Sequence, residues 1–208
     1  MKIYETQGFP NPARIRIALA EKGLTDQAEF IQINVPEGEH QTEAFRAKNP
    51  FAAVPVLELE DGTCISECSA ITEYLDHLDD TPSLTGSTPK ARAQIHMMQR
   101  RAEAGLLDAV GSYFHHATPG LGADIEGYQC PQWGNHQKET ALKSMRYLDT
   151  VLADQPWLAG DNFSVADITA FAGLVFAGFA KVDVPKECAN LIAWHARMSA
   201  RPSVEALG

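Results

Sequence analysis

The sequence predicts an α/β domain of βαβαββα order over residues 1–79, a linker at 80–89, and an all-helical domain over residues 90–208. Three observations carry this prediction. Short period-two apolar runs alternate with helical-period runs only within residues 1–78. The stretch DDTPSLTGSTP at 79–89 is polar and holds two prolines, the composition of a connection. Beyond it no strand pattern recurs, and apolar residues return at helical spacing.

Taken in order, residues 2–5 read as a strand and 6–12 as a Gly- and Pro-containing loop. Residues 13–22 read as a helix, with Ile15, Ile17, Ala18 and Leu19 apolar, Pro12 suited to the first turn and Gly23 as the stop. Residues 28–34 alternate as a second strand. A loop at 36–40 and a short helix at 43–48 follow. Then comes PFAAVPVLELEDGTCISECSAI, residues 50–71. It reads as a strand over 54–59, an Asp61-Gly62 turn, a strand over 63–66 and a helix from Ser66 or Glu67. A right-handed crossover makes the first two strands parallel, and the hairpin adds an antiparallel edge. This order is thioredoxin-like.

In the second half, residues 90–116 read as one long helix capped by Thr88 and opened by Pro89. Residues 118–122 break the chain, and 124–154 carry one or two further helices. Phe163-Ser164-Val165-Ala166-Asp167 is a capping box, with Phe163 and Ile168 as its hydrophobic staple. It starts a helix that runs to Phe179. Residues 190–199 are another helix, and Pro202 opens a short last one. Tyr113, Phe114, Trp133, Phe176 and Phe179 are read as mainly core, with one or two of them able to line an apolar pocket.

The chain has 208 residues and a formal charge of −10, which argues against broad contact with nucleic acid or an anionic membrane. No apolar run is long enough to span a bilayer, and the N-terminus lacks a signal-peptide core, so the expected location is the cytoplasm. Cys64, Cys68, Cys130 and Cys188 have neither C-x-x-C nor zinc-type spacing, so free thiols and no metal are expected.

One stretch suggests a ligand. Pro55 lacks an N–H and sits at the start of an apolar strand, where a cis bond is a candidate. Such a backbone leaves the Val54 N–H and C=O free for an extended partner. The turn at Glu67-Cys68-Ser69 opens a helix, whose orphan N–H groups and positive end suit a carboxylate. A peptide-like anion fits both features.

VPVLELEDGTCISECSAI, the linker, WLAGDNFSVADITAFAGL and the later W-x-x-R-M-x-x-R-P together resemble the glutathione S-transferase superfamily over nearly the whole chain. IHMMQRRAE and YFHHATPGLG are similar to a branch of it found in yeast and bacteria. The resemblance implies a homodimer that binds glutathione on the first domain and an electrophile in a pocket between domains. It implies that Val54, beside a cis Pro55, pairs with the cysteinyl part. It implies that Glu67 meets the γ-glutamyl ammonium and that Cys68 meets the carboxylate, with Ser69 able to help. His40 resembles a contact to the glycyl carboxylate. Family members commonly carry Ser at the position of Cys68, and a thiol is the weaker donor, so the backbone N–H carries more of that contact. The polar residue usual before Val-Pro is replaced by Ala52-Ala53, with Lys48 or Asn49 as substitutes. The implied activity is detoxifying conjugation. A glutathione-dependent isomerase, dehalogenase or peroxidase, and a non-catalytic binding or regulatory protein, stay open.

The chemistry needs a thiolate. Lowering a thiol pKa by two units takes about 2.7 kcal/mol, more than the roughly 0.3–1 kcal/mol of an ordinary helix N-terminus. Hydrogen-bond donors are therefore expected as well. The family's usual Tyr, Ser or Cys after the first strand is absent. Phe9 and Pro10 stand where the serine type has its hydroxyl, and Thr6 and Asn11 are the remaining donors. A second candidate lies in the long helix, where Ser112 shares a face with His115 or His116 at three- and four-residue spacing. A Ser–His pair there could hold a water that takes the thiol proton.

Overall fold

Strand β1, Lys2–Glu5, lies inside a sheet of order β2-β1-β3-β4. It pairs in parallel with β2, Glu29–Gln32, and antiparallel with β3, Val56–Glu58. Strand β4, Cys64–Ser66, closes the hairpin against β3. The computed structural model describes residues 1–207, and the chain divides into two compact units, Met1–Pro82 and Ser83–Ala206.

The parallel pair requires a crossover, and helix α1, Pro10–Glu21, supplies it. It starts three residues earlier than its apolar pattern suggests. Pro10 and Pro12 both fall in the first turn, where no N–H is needed. Helix α2, Glu43–Arg46, is capped by Thr42, which accepts from Phe45 N at 3.3 Å. Helix α3, Cys68–Asp76, packs with α1 on the sheet: Ile3, Ile15, Leu19, Leu57, Ile71 and Leu75 are fully buried together with Cys68 beside them. Strand β3 is shorter than the predicted 54–59: the Val54–Pro55 bond is cis, and the ladder begins at Val56 opposite Tyr4 and ends at Glu58.

In the helical unit, α4, Pro89–Ala102, is capped by Thr88, which accepts from Ala91 N at 3.2 Å. The predicted single helix to His116 is interrupted by a π-helical turn, Glu103–Leu107, before α5, Asp108–Ala117. This wider turn lies where neighbours approach closely: a Cβ on Gly105 would stand 2.8 Å from Ser144 Oγ, and one on Gly173 would stand 2.9 Å from Leu106 Cγ. Helices α6, Ala123–Glu126, α7, Pro131–Leu152, α8, Val165–Phe179, α9, Ala189–Ser199, and α10, Pro202–Glu205, complete the unit.

The polar connection at 80–89 is partly packed. Leu84 and Thr85 are buried, and Leu84 O accepts from Val165 N at 3.1 Å. Trp133 and Phe179 are not core. Trp133, in the first turn of α7, and Phe179, the last residue of α8, are 49% and 71% exposed. Helical periodicity alone does not reveal where a helix end leaves the packed layer. Among the described residues, no helix is long and apolar enough to cross a membrane.

Candidate functional site

The first half of the site is backbone. Because the β3 ladder begins only at Val56, the Val54 N–H and C=O have no partner among the described residues. Pro55 is buried behind them. Across the hairpin, Glu67 precedes α3 with φ of 66° and ψ of 121°, and no side chain caps the helix. A non-glycine residue held at positive φ costs on the order of 1–3 kcal/mol and persists only where its surroundings impose it. The first amides of α3, on Cys68 and Ser69, have no intrahelical acceptor. The Ser69 hydroxyl is likewise without a partner among the described residues, and Glu67 is exposed. An anion placed here meets N–H groups and the positive end of the helix dipole.

Cys68 is buried, and its Sγ donates to Asn11 O at 3.4 Å. The thiol proton is thus directed at a carbonyl. The same contact brings Cys68 together with Asn11, two residues the sequence singled out for different tasks.

The loop between β1 and α1 is held from several sides. Thr6 Oγ1 donates to Ile33 O at 2.7 Å, so the Thr6 hydroxyl proton is committed to the scaffold and Thr6 is removed as a thiol donor. Phe9 N donates to Thr6 O at 3.2 Å, and Phe9 occupies the N-cap of α1 without a side-chain cap. Pro10 and Pro12 have no N–H, and Ala13 N donates to Phe9 O at 3.1 Å. Asn11 N–H is therefore the one open amide of that first turn among the described residues. Asn11 Oδ1 accepts from Arg14 Nη1 at 3.0 Å. Behind the loop, the fully buried Glu5 carboxylate pairs with the Arg16 guanidinium and accepts from Gln32 Nε2 at 2.8 Å. Gln32 Oε1 in turn accepts from Gln7 N at 3.0 Å. Sequence reading passed over Glu5, Arg14 and Arg16. The only signal was a carboxylate among the apolar residues of β1 and basic residues within the apolar run of α1.

His40 is 9% exposed and its Nδ1 finds no hydrogen-bond partner. Burial, and then the nearby Arg46 charge, hold its imidazole below the ordinary value, so it is neutral at pH 7. Lys48 and Asn49 do not replace the missing polar residue before Val54. Lys48 is bonded to Glu58 and sits 4.6 Å from the Tyr4 ring centre, while Tyr4 OH donates to Glu58 Oε2 at 2.8 Å. These bonds raise the Lys48 pKa, the Glu58 hydrogen bond first and the Tyr4 hydrogen bond next. Asn49 Nδ2 donates to Ala53 O at 2.8 Å and its Oδ1 accepts from Phe51 N at 3.1 Å, so it staples its own loop.

In the helical unit no hydrogen bond joins Ser112 directly to His115 or His116 among the described residues. His115 Nδ1 meets the Glu126 carboxylate at 2.9 and 3.0 Å, and Glu126 also accepts from Leu121 N at 2.6 Å. His116 Nδ1 accepts from Cys130 N at 3.2 Å, which places its proton on Nε2 when the ring is neutral. Both rings are engaged by the segment that follows α5, because its backbone N–H groups and Glu126 need partners. The Ser112 hydroxyl is unbonded among the described residues.

All four cysteines are free, and no cluster of three His, Cys, Asp or Glu able to hold a metal occurs among the described residues. A thioredoxin-like unit with open backbone before β3 and an open α3 start, followed by a helical unit, defines a class of ligand-binding proteins. Comparison with known proteins gives that class its family. The model for the glutathione S-transferase N-terminal domain matches residues 10–78, and the model for the C-terminal domain matches residues 134–202. Glutathione S-transferase 2 of Saccharomyces cerevisiae is 56% identical over 207 residues, covering 100% of this chain and 89% of its own. The crystal structure of that yeast protein, Gtt2, superposes with a TM-score of 0.99 at full coverage of both chains. The crystal structure of a glutathione S-transferase domain-containing protein from Marinobacter aquaeolei has 65% identity and a TM-score of 0.97, covering 98% of this chain and 100% of that one. The chain belongs to the glutathione S-transferase family.

Proposed function

We propose that this enzyme binds glutathione along residues 54–69 and promotes attack of its thiolate on an apolar electrophile. The observation that carries the reading is the unpaired Val54 backbone facing the same hairpin as the uncapped start of α3. Val54 pairs with the cysteinyl main chain, beside Pro55. Glu67 takes the γ-glutamyl ammonium. The N–H groups of Cys68 and Ser69, with the Ser69 hydroxyl, take the γ-glutamyl carboxylate. His40, neutral, donates to the glycyl carboxylate, and Phe9 forms apolar wall. Asn11 offers its backbone N–H and Nδ2 to the sulfur. Together with the α1 dipole they supply the roughly 2.7 kcal/mol that a two-unit drop in thiol pKa needs.

The apolar character of the electrophile is supported by the aromatic group of Phe114, Phe176 and Phe179, with ring centres 5.4 to 6.5 Å apart and Phe179 largely exposed. The free cysteines support a reducing compartment, hence the cytoplasm. Phe51, 82% exposed, supports a homodimer, since a second copy would cover it.

Calorimetric titration with glutathione and turnover of a generic aromatic halide test the reading. We expect binding and conjugation. Binding without turnover across several electrophiles identifies a binding or regulatory protein instead. Thiolate absorbance of bound glutathione against pH, in Asn11→Ala and in Ser112→Ala, assigns the activation: the variant whose thiol pKa rises carried the donor.

A further inference from the structure

Arg14 is 4% exposed, one turn into α1, and its Nη1 donates to Asn11 Oδ1 at 3.0 Å. A guanidinium has five donors and no acceptor. Only the oxygen end of the Asn11 amide can meet it. The flip of an asparagine amide is ordinarily ambiguous from heavy atoms alone, but a donor-only partner decides it chemically. The nitrogen end, Nδ2, is then the end left for a ligand. The backbone of the same residue is constrained as well. Asn11 O accepts from Cys68 Sγ at 3.4 Å, and Asn11 N–H is the open amide of a first turn in which both flanking residues are proline. Both oxygens of Asn11 thus have a partner in the protein, and among the described residues both kinds of donor are left over.

We propose that Arg14 is a positioning residue that locks Asn11 as a two-donor unit, with its backbone N–H and Nδ2 offered together to the glutathione sulfur. Arg14 does not touch the substrate. It acts by denying Asn11 the flipped amide, which would turn an acceptor lone pair toward a thiolate and repel it. The donor pair favours the thiolate over the thiol, because hydrogen bonds to the charged form stabilise that form. This inference rests on the transferase reading above.

The test compares Arg14→Met, Arg14→Lys and Asn11→Asp with the unaltered enzyme. The readouts are thiolate absorbance of bound glutathione against pH, affinity for S-methylglutathione, and steady-state kinetics. In Arg14→Met the thiol pKa rises by about half a unit and kcat at pH 7 falls about threefold, with S-methylglutathione affinity held within about twofold. Arg14→Lys, still a pure donor, restores most of the shift. Asn11→Asp keeps a partner for Arg14 and loses the side-chain donor, so its thiol pKa rises by about one unit. A folded Arg14→Met with lowered thermal stability and an unmoved thiol pKa overturns the proposal, since that is the result of a merely structural role. An unmoved thiol pKa in Asn11→Asp overturns it whether or not Arg14→Met is soluble. Absence of any bound thiolate in the unaltered enzyme overturns the transferase reading and this inference with it.

Discussion

Two helix starts in this protein are built to opposite plans. At α8 the Ser164 side chain caps the helix, and Asp167 accepts from Ser164 N and Oγ at 3.1 Å, Leu158 N at 3.0 Å and Trp194 Nε1 at 3.1 Å, all buried. At α3 no side chain caps the helix, and the N-cap residue Glu67 is exposed at positive φ. The closed start joins α8, α9 and the loop before them into one core. The uncapped start is the one proposed to hold the γ-glutamyl carboxylate. The positive φ of Glu67 is a local cost that the capped start of α8 does not bear.

Three experiments press on that contrast. The largest effect is expected at the closed start. Asp167→Ala strands several buried donors at once and should lower the unfolding free energy by roughly 3–5 kcal/mol, measured by urea denaturation. A loss under about 1 kcal/mol would mean the box is not the keystone described here.

The second concerns pH. Burial pushes the Asp167 carboxyl up to about 6, against the hydrogen bonds from Leu158, Trp194 and Ser164, which pull it down. The folded value lies above the ordinary 3.8. The folded state therefore binds this proton more tightly than the unfolded chain does. The stability the group contributes is full below about pH 3.8 and is lost as pH rises through about 6, a change of about 3 kcal/mol. Asp167→Asn cannot titrate. The difference in unfolding free energy between the unaltered protein and this variant should move in favour of the unaltered protein as pH falls from 7 to 4. A flat difference rules out the assigned pKa.

The smallest effect is at the open start. Glu67→Gly accepts the positive φ without strain and should raise stability by about 0.5–1 kcal/mol in thermal or urea unfolding. In the proposed binding mode the same change also removes the partner of the γ-glutamyl ammonium, so glutathione affinity should fall about tenfold, or 1.4 kcal/mol. Opposite signs for stability and binding separate this position from Asp167, where both should fall together.

The legibility of these regions in the sequence follows the same divide. The capping box at Ser164 and Asp167, Thr88 before Pro89, and the hairpin at Asp61-Gly62 were readable because each is a contact between residues a few positions apart. The helix start at Glu67 and Cys68 was readable for the same reason, whereas Val54, read as the first residue of a strand, lies two residues before it. What the sequence did not yield was the assignment of individual protons. Nothing in its spacing says that Thr6 spends its hydroxyl on Ile33, that Lys48 belongs to Glu58 and Tyr4, or that His115 and His116 turn to Glu126 and Cys130 rather than to Ser112.

By itself, then, the sequence determined the order of elements, the ends of most helices and the stretch where backbone is left open, since these depend on local propensity and on prolines that cannot donate. Only the tertiary structure decided which polar side chains remain available for chemistry. Each hydrogen-bond donor is used once, and the acceptor that claims it lies across the fold: Cys68 reaches Asn11 from 57 positions away in the chain. Such pairings are set by packing, and packing is the sum of contacts that no local pattern encodes.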